Sequence, residues 1–463
     1  MDSRFSNAYD NVTTLHPIGI ALLLAAILAI FVVRREWMLL PIIVLTCLAP
    51  AAQRVVVLGF DLHFMRILVI FAWLRLITRG ERRPLHWTTL DRLVLWWAFA
   101  STLIFAARRA SSGAIVNALG QAADAIGLYF LGRQVIREWK DAERVVLSFA
   151  LAAVPVSVMG LIELVTKRNP FAFYGYVPEL AIERDGRVRL RGAFSHQILA
   201  GAYWVVPTFL CCAALVQRRL TKLVPALGLF SCLFLIGASA SSTPLMGLVL
   251  GIGGALLWPL RERMRHVRWA GVAALVLIQL AMSKPIWHLY QRVAAFGVGG
   301  STGYHRYRLV DAFVRNFSQW ALLGTNSTGV WGRQLEDVTN HFIGQGVRTG
   351  LLGFSLFVGV FVAAFSQVGA ARAHWRHDRS REMFAWMLGV ALFAQTMMMT
   401  ATSYFGQIEL VMWVSLAAIG SITPGAGIVS AGPVESPRVD PPVQRAVQAA
   451  ASLGNRLLRR RNL

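Results

Sequence analysis

The sequence predicts an all-α, polytopic membrane bundle of about 12–13 transmembrane helices with a long, partly helical outer loop. Hydrophobic residues make up 56% of the 463 residues and charged residues only 15%, and the mean hydropathy is +0.54. An apolar stretch of about 18–20 residues is enough to cross the hydrocarbon core of a bilayer. Such stretches recur along the chain, separated by basic clusters. No soluble domain needs so many apolar runs in series, so we expect a membrane protein.

Apolar runs define the predicted helices. They cover residues 15–33, 37–53, 55–77, 90–106, 114–133, 144–165, 192–216, 221–238, 243–259, 268–283, 350–370, 383–401 and 404–422. The second and fifth runs fit the pattern least well. Because the fifth contains Asn117, Gln121 and Asp124, we expect it to face the interior of the bundle or to cross the membrane only in part. Gly247 and Gly251 are spaced for close packing between helices.

Basic residues between the apolar runs predict the orientation of the chain. Cytoplasmic loops are enriched in lysine and arginine, which contact anionic lipid. One orientation places five basic clusters together on the cytoplasmic side: 34–35, 75–83, 218–222, 261–268 and 372–381. The N-terminus is then outside and the C-terminus inside. The net charge of +23 is therefore attributed to contact with membrane lipid, and we expect no nucleic-acid partner.

Two regions follow from this topology. Residues 1–422 form the polytopic membrane domain, with outer loops near 166–191 and 284–349. Residues 423–463 form a cytoplasmic tail whose Pro, Gly and Ser content is typical of a flexible linker, and its basic, amphipathic end is expected to lie on the membrane surface. All four cysteines lie in apolar runs, so we predict no disulfide framework.

The two outer loops contain more arginine than exported loops usually do. In the first loop the basic residues outnumber the acidic ones: Lys167, Arg168, Arg184, Arg187, Arg189 and Arg191 against Glu179, Glu183 and Asp185. The second loop has the same excess: Lys284, Arg292, Arg306, Arg308, Arg315, Arg333 and Arg348 against Asp311, Glu336 and Asp337. Guanidinium groups match phosphate oxygens in a bidentate geometry, which favours a phosphate-bearing ligand. The alternative is two solvated loops that contact lipid headgroups.

Arg187, Arg189 and Arg191 alternate along the chain. In an extended strand all three side chains project to one side. Residues 192–196 lead directly into the next apolar run, so these arginines are placed at the membrane surface, at the depth of a diphosphate on a lipid carrier. His196 lies at the start of that helix, where a structural role and a catalytic role are both open.

The long loop contributes a second set of candidates. Residues 303–309 begin a predicted helix, and its Arg306 and Arg308 would add to the same anionic site. Asp337 and His341 lie on one face if the stretch between them is helical, which would place a carboxylate beside a general base. The alternative is that these polar residues only cap a membrane helix.

Three stretches carry a resemblance to a known family. They are Arg189-Leu-Arg-Gly-Ala-Phe-Ser-His196, then Tyr304-His-Arg-Tyr-Arg-Leu309 with Leu323-Gly324, and then Thr339-Asn-His-Phe342 with Gly350-Leu-Leu-Gly353. Their order and placement, over residues 167–370, resemble the O-antigen ligase and polysaccharide polymerase superfamily of bacterial membrane glycosyltransferases. The family has His immediately before the Asn of the third stretch, where this chain has Thr339. His341 follows Asn340 instead, and this departure favours an exopolysaccharide-polymerase branch.

The resemblance implies a C-type glycosyltransferase fold and an inverting, metal-independent transfer at the periplasmic face of the bacterial inner membrane. The donor would be an oligosaccharide on polyprenyl diphosphate, and the acceptor a glycan for a polymerase or a lipid A-core for a ligase. The expected catalytic residues are Arg191, Arg306 and His341. The residues expected to bind the diphosphate or the glycan are Arg187, Arg189, Arg308, His196, Asn340 and Asp337. Other polysaccharide assembly and export proteins are candidate partners.

The sequence itself has no Asp-x-Asp in an outer loop and no His/Cys pattern with zinc spacing, so we predict no metal and no cofactor. A secondary transporter is the alternative from another class, and it requires charged residues at mid-membrane. Asp124, Glu163 and Glu409 are the deep acids that would serve it, and no repeated half is visible. A non-catalytic partner of a polysaccharide export system is a further alternative.

Overall fold

The computed structural model describes residues 12–57, 59–175, 177–184, 186–217, 222–291 and 303–422. The described residues are 74% helix and 4% strand, in agreement with the predicted all-α class. The predicted cytoplasmic tail, residues 423–463, lies outside the described residues, so its amphipathic end stays a prediction.

Helices account for nearly all of the regular structure. In chain order they are α1 (Pro17–Val32), α2 (Leu39–Leu48), α3 (Phe64–Thr78), α4 (Thr89–Arg109), α5 (Ser112–Val135), α6 (Trp139–Thr166), α7 (Gln197–Val216), α8 (Leu223–Ala238), α9 (Ser242–Leu256), α10 (Met264–Ala281), α11 (Gly303–Arg315), α12 (Phe317–Trp320), α13 (His341–His374), α14 (Arg379–Met399) and α15 (Ile408–Ile422). Two antiparallel hairpins complete it: β1 (Arg54–Val57) with β2 (Phe60–His63), and β3 (Ile182–Arg184) with β4 (Arg187–Arg189).

Each predicted apolar segment overlaps one of these helices. Within the described residues, six helices are long and apolar enough to cross a membrane: α4, α5, α6, α7, α13 and α14. A seventh span results if α9 and the stretch Trp258–Ala281, bent by 73°, count as one. Helices α1, α8 and α15 are apolar but shorter. The structure therefore supports a multi-pass helical bundle, and the finer count of 12–13 spans stays a prediction.

Two predicted boundaries are wrong for identifiable reasons. The third segment is predicted as helical from residue 55, but residues 54–57 pair with 60–63 as a hairpin, because a run of valines favours strand over helix. The segment predicted from residue 350 begins at His341 instead. Asn340 caps this helix by accepting the N–H of Ile343 at 3.1 Å, which lets it start in a polar stretch before the apolar run.

Close helix packing at α9 is confirmed. A Cβ on Gly247 would lie 2.6 Å from the Sδ of Met398 on α14, and a Cβ on Gly251 would overlap the ring of Phe209 on α7. Small residues allow two helices in a membrane to approach this closely. The two glycines therefore set the distance from α9 to both neighbours.

Polar contacts between loops gather at two faces of the bundle. At one face, which we term the inner face, segments predicted to be cytoplasmic form ion pairs: Arg35 with Asp141, Arg75 with Glu81, Arg144 with Glu36, and Arg372 with Glu262. At the other, the outer face, predicted outer segments form hydrogen bonds: Gln53 with Tyr174, Leu190 with Ala238, Arg306 with Ala401, and Gln407 with Ala193. An alternating topology requires this separation. Which face meets the cytoplasm stays a prediction.

Candidate functional site

A cleft of about 420 Å³ opens at the outer face between the β3–β4 hairpin and the first turns of α7 and α9. Four arginines line it: Arg184, Arg187, Arg189 and Arg306. Apolar side chains form another part of its wall: Leu164, Ile198 and Leu245. None of the described residues that line it is acidic. This arginine cleft suits an anion attached to an apolar group.

Strand pairing explains which arginines reach the cleft. Arg187 and Arg189 alternate on β4 and share one side, as predicted. Arg184 stands opposite Arg187 in the hairpin register, so it joins them although it is not among the predicted site residues. Arg191 lies beyond the strand and does not line the cleft; its Nε donates to the carbonyl oxygen of Phe194 at 2.8 Å. The prediction that Arg191 shares one side with Arg187 and Arg189 is therefore wrong. Arg184 lies in the cleft in its place.

A buried carboxylate holds the turn that follows β4. Glu163 is 0% exposed and accepts the backbone N–H groups of Arg191 at 3.0 Å and Gly192 at 2.8 Å. Gly192 has a φ of +59°, a left-handed conformation that favours glycine. This turn carries the chain away from the strand direction immediately after Leu190. Glu163 therefore shapes the loop that presents the arginines.

Two arginines of the cleft are held by neutral partners. Arg189 donates from Nη2 to the Oγ of Ser241 at 2.6 Å, and its Nε is buried without a partner among the described residues. Arg306 donates from Nη2 to the Oγ1 of Thr243 at 2.9 Å and from Nε to the carbonyl oxygen of Ala401 at 3.1 Å. Burial lowers the pKa of both guanidinium groups, which nevertheless stay protonated. Neither forms an ion pair with a described carboxylate, so their charge is available to an anionic ligand.

His196 lies beside the cleft as the N-cap of α7. Its Nδ1 accepts the N–H of Ile198 at 3.1 Å. Burial, and then the positive charges of Arg189 and Arg191, lower the pKa of His196 to about 4. The imidazole is therefore neutral at neutral pH, with its proton on Nε2. It is not among the described residues that line the cleft, so its geometry favours the capping role over the predicted substrate contact.

Three further predicted residues do not line the cleft. Arg308 lies over the ring of Tyr304, with Cζ 5.9 Å from the ring centroid. Asn340 caps α13, and its Nδ2 donates to the carbonyl oxygen of Thr400 at 2.9 Å. Asp337 is exposed and forms no ion pair with a described residue. These positions favour helix capping and loop structure over the predicted substrate contacts.

His341 lies apart from the arginine cleft, in a separate cavity. Its Nδ1 accepts the backbone N–H of Tyr404 at 3.1 Å, and its Nε2 lies 3.4 Å from the Nε2 of Gln345. Both ring nitrogens therefore have a neighbouring polar group, so neither is free to take a proton. The helix expected to align Asp337 with His341 is not formed, because α13 begins only at His341. No hydrogen bond joins these two residues in the described part of the chain.

Residues 400–407, which connect α14 to α15, are important at the outer face although the sequence does not predict it. This segment bonds to four other parts of the outer face: Thr400 O to Asn340 Nδ2, Ala401 O to Arg306 Nε, Tyr404 N to His341 Nδ1, and Gln407 Nε2 to Ala193 O. It therefore lies between the arginine cleft and His341. The only signal in the sequence is a short polar interruption between two apolar runs, which predicts a turn and nothing more.

No three His, Cys, Asp or Glu side chains of the described ranges are grouped closely enough to hold a metal ion. The metal-independent mechanism stays a prediction. Retention of activity by the purified protein in excess EDTA would test it.

Comparison with known proteins does not identify a family for this chain. A scan against models of protein families found no match to this chain, and a search of curated proteins found none. The family resemblance therefore rests on the three stretches of sequence. A helical, multi-pass membrane protein is supported by the structure itself.

Proposed function

We propose that the protein transfers a glycan from a polyprenyl-diphosphate-linked donor to an acceptor at the outer face of the inner membrane, as a polysaccharide polymerase. The observation that carries this proposal is the arginine cleft, where Arg189 and Arg306 are oriented by neutral groups and have no carboxylate partner among the described residues. Diphosphate oxygens match guanidinium groups, and the apolar wall of the cleft suits a polyprenyl chain.

The proposed reaction uses the arginines to stabilise the leaving group. An acceptor hydroxyl oxygen attacks the anomeric carbon of the donor sugar, and the bond from that carbon to the diphosphate oxygen breaks with inversion. The diphosphate leaves with one additional negative charge, and the hydroxyl proton passes to a base. Fixed positive groups aimed at developing charge often make the largest catalytic contribution. Ser241 and Thr243 hold Arg189 and Arg306 in place beforehand, so little reorganisation accompanies the reaction.

The predicted roles of His341 and Arg191 change under this proposal. His341 can accept a proton only after its Nδ1 releases the N–H of Tyr404. We therefore assign His341 to positioning residues 400–407. Arg191 becomes a positioning residue too, because its backbone N–H binds Glu163 and its side chain binds Phe194.

A ligase would use the same lipid-linked donor and therefore the same cleft. Thr339, at the place of the family's histidine, favours the polymerase within the resemblance. Deletion of the gene followed by glycan analysis separates the two. Single repeat units without long chains indicate a polymerase, whereas long chains left on the lipid carrier indicate a ligase.

The transporter alternative is weaker because two of its three deep acids are already engaged. Asp124 accepts from the Nε and Nη2 of Arg66 at 2.8 and 2.7 Å. Glu163 accepts two backbone N–H groups at the cleft. Breaking a buried charge pair leaves an uncompensated charge, at a cost of about 3–5 kcal/mol, which disfavours its use in every transport cycle. Glu409 is the exception.

Substitution of the cleft arginines tests the proposal. With purified full-length protein and a lipid-linked donor, Arg189→Ala and Arg306→Ala are each expected to lower kcat by about 10²- to 10³-fold. Lysine at either position should recover little, because an ammonium group lacks the bidentate fork. Arg315→Ala is the matched control, since Arg315 lies on the same helix as Arg306 with its side chain 74% exposed, and it should keep the wild-type rate.

Folding must be shown to be intact in the same preparations. The alanine variants should elute and melt like the wild type, because each loses one or two hydrogen bonds to neutral groups. If both variants are folded and fully active, the cleft arginines are only lipid-headgroup contacts and the proposed donor site is refuted.

A further inference from the structure

A second cavity, of about 120 Å³, lies between α4, α5, α13 and α15. Its ionisable lining groups include His341, Arg348 and Glu409. Aromatic side chains form much of the remaining wall: Trp97, Phe105, Tyr404, Phe405 and Trp413. This aromatic pocket has no role in holding the proposed donor.

Arg348 and Glu409 share the aromatic pocket without pairing. Neither side chain forms a hydrogen bond or an ion pair with any described residue, and Arg348 lies over the ring of Phe105, with Cζ 4.7 Å from the centroid. Charged groups inside a helical bundle are costly unless another group satisfies them. The pocket is therefore suited to a ligand that accepts hydrogen bonds from the guanidinium group of Arg348 and donates hydrogen bonds to the carboxyl group of Glu409.

Neutral polar groups in the pocket also lack hydrogen-bond partners. The Oγ of Ser101 and the Oη of Tyr404 are buried without a hydrogen-bond partner among the described residues. Buried hydroxyl groups without partners are uncommon in proteins, so these groups also indicate a polar ligand.

We propose that the aromatic pocket binds one neutral sugar ring of the acceptor glycan, an inference that rests on the proposed transferase function. Sugar hydroxyls both donate and accept, so one ring can satisfy Arg348 and Glu409 together. Its C–H groups can contact the aromatic wall of the pocket. The cavity holds about ten water-sized spheres, comparable to one ring.

The pocket is within reach of the arginine cleft through residues 400–407. Arg306 at the cleft binds the carbonyl of Ala401, and His341 at the pocket binds the N–H of Tyr404. Three residues of extended chain span at most about 11 Å. An oligosaccharide with one ring in the pocket can therefore extend along residues 400–407 towards the proposed donor site.

Conservative variants test the pocket through the kinetics of transfer. Glu409→Gln removes the charge and keeps the shape, and Tyr404→Phe removes only the hydroxyl. With full-length protein in nanodiscs, native lipid-linked repeat units as donor and free oligosaccharide repeat units as acceptor, each variant should raise the acceptor KM by about five- to tenfold, as expected for one hydrogen bond. The donor KM should not change. Unchanged acceptor KM in both variants, or a rise in donor KM instead, overturns the assignment.

A binding measurement tests whether the pocket binds a sugar without requiring glycan transfer. Saturation-transfer NMR with methyl glycosides of hexoses and N-acetylhexosamines should give a signal with the wild type that falls at least fivefold with Glu409→Gln and Tyr404→Phe. Equal signals in all three proteins, or none, contradict a sugar site. Binding of glycerophosphoethanolamine in place of the glycosides would identify a zwitterionic lipid-headgroup site. A wild type that binds glycosides but transfers nothing would refute the proposed function alone.

Discussion

Two sets of arginines in the bundle differ in the groups that hold them. At the inner face Arg133 pairs with Asp91 at 2.9 Å, with both side chains 0% exposed. In the arginine cleft, Arg189 and Arg306 are held by hydroxyl and carbonyl groups. A carboxylate neutralises the guanidinium, whereas a neutral partner orients it and leaves its charge for a ligand. In the arginine cleft the kind of partner, together with the cleft itself, indicates arginines placed to bind an anion.

The largest expected effect concerns which face is exported. Gly186→Cys, in the exposed turn of the β3–β4 hairpin, should react with an impermeant maleimide in intact spheroplasts. His377→Cys, exposed at the inner face, should react only after lysis. The four native cysteines are buried or half-buried, so the background is low and the outcome is all or none. Labelling at 377 with protection at 186 would place the arginine cleft in the cytoplasm.

The next effect concerns stability. Asp91→Ala leaves Arg133 buried without its carboxylate, and breaking such a pair costs about 3–5 kcal/mol. We expect a large fall in Tm and a reduced yield of folded protein. Arg189→Ala is the matched comparison, because it removes a hydrogen bond to a neutral hydroxyl worth about 1 kcal/mol. Equal Tm changes in the two variants would show that partner type does not separate the two classes of arginine.

Hydropathy and basic clusters predict the helices well, because every lipid-exposed crossing must satisfy its own backbone. The shared side of Arg187 and Arg189 is predictable for a similar reason, since strand alternation is local. Arg184 joins the cleft only through pairing with β4, and alternation along one strand does not reveal the register of its partner. The sequence therefore predicts that Arg187 and Arg189 lie together, but it does not predict that Arg184 joins them.

Contacts between distant residues explain the remaining errors. His341 is 63 positions from Tyr404, and nothing near either residue signals their hydrogen bond. The predicted pairing of Asp337 with His341 assumes one continuous helix, whereas the cap at Asn340 separates them. Spacing alone cannot distinguish a cap from a catalytic pair, because both use the same polar residues before an apolar helix.

The smallest expected effect is the influence of the cleft's charge on His196. Burial, Arg189 and Arg191 lower its pKa from 6.5 to about 4, so the unfolded chain takes up this proton before the folded protein does. His196 therefore has no effect on stability above about pH 6.5 and destabilises the protein progressively as the pH falls to about 4. His196→Asn keeps a capping side chain and removes this loss. Its Tm should match the wild type at pH 7.5 and exceed it increasingly below pH 6. If the Tm values of the variant and the wild type differ by the same amount at every pH, His196 is not held neutral in the folded protein.

Helix α9 links the interior of the bundle to the geometry of the cleft. Ser241 precedes this helix and Thr243 lies in its first turn, whereas Gly247 and Gly251 face neighbouring helices further along it. A methyl group at either glycine would act as a wedge that tilts the helix and displaces both hydroxyl anchors. A misplacement of about 1 Å that originates far from the chemistry can lower a rate by about 10²-fold. Variation at these buried small residues would therefore tune the speed of transfer while every group that meets the donor stays the same.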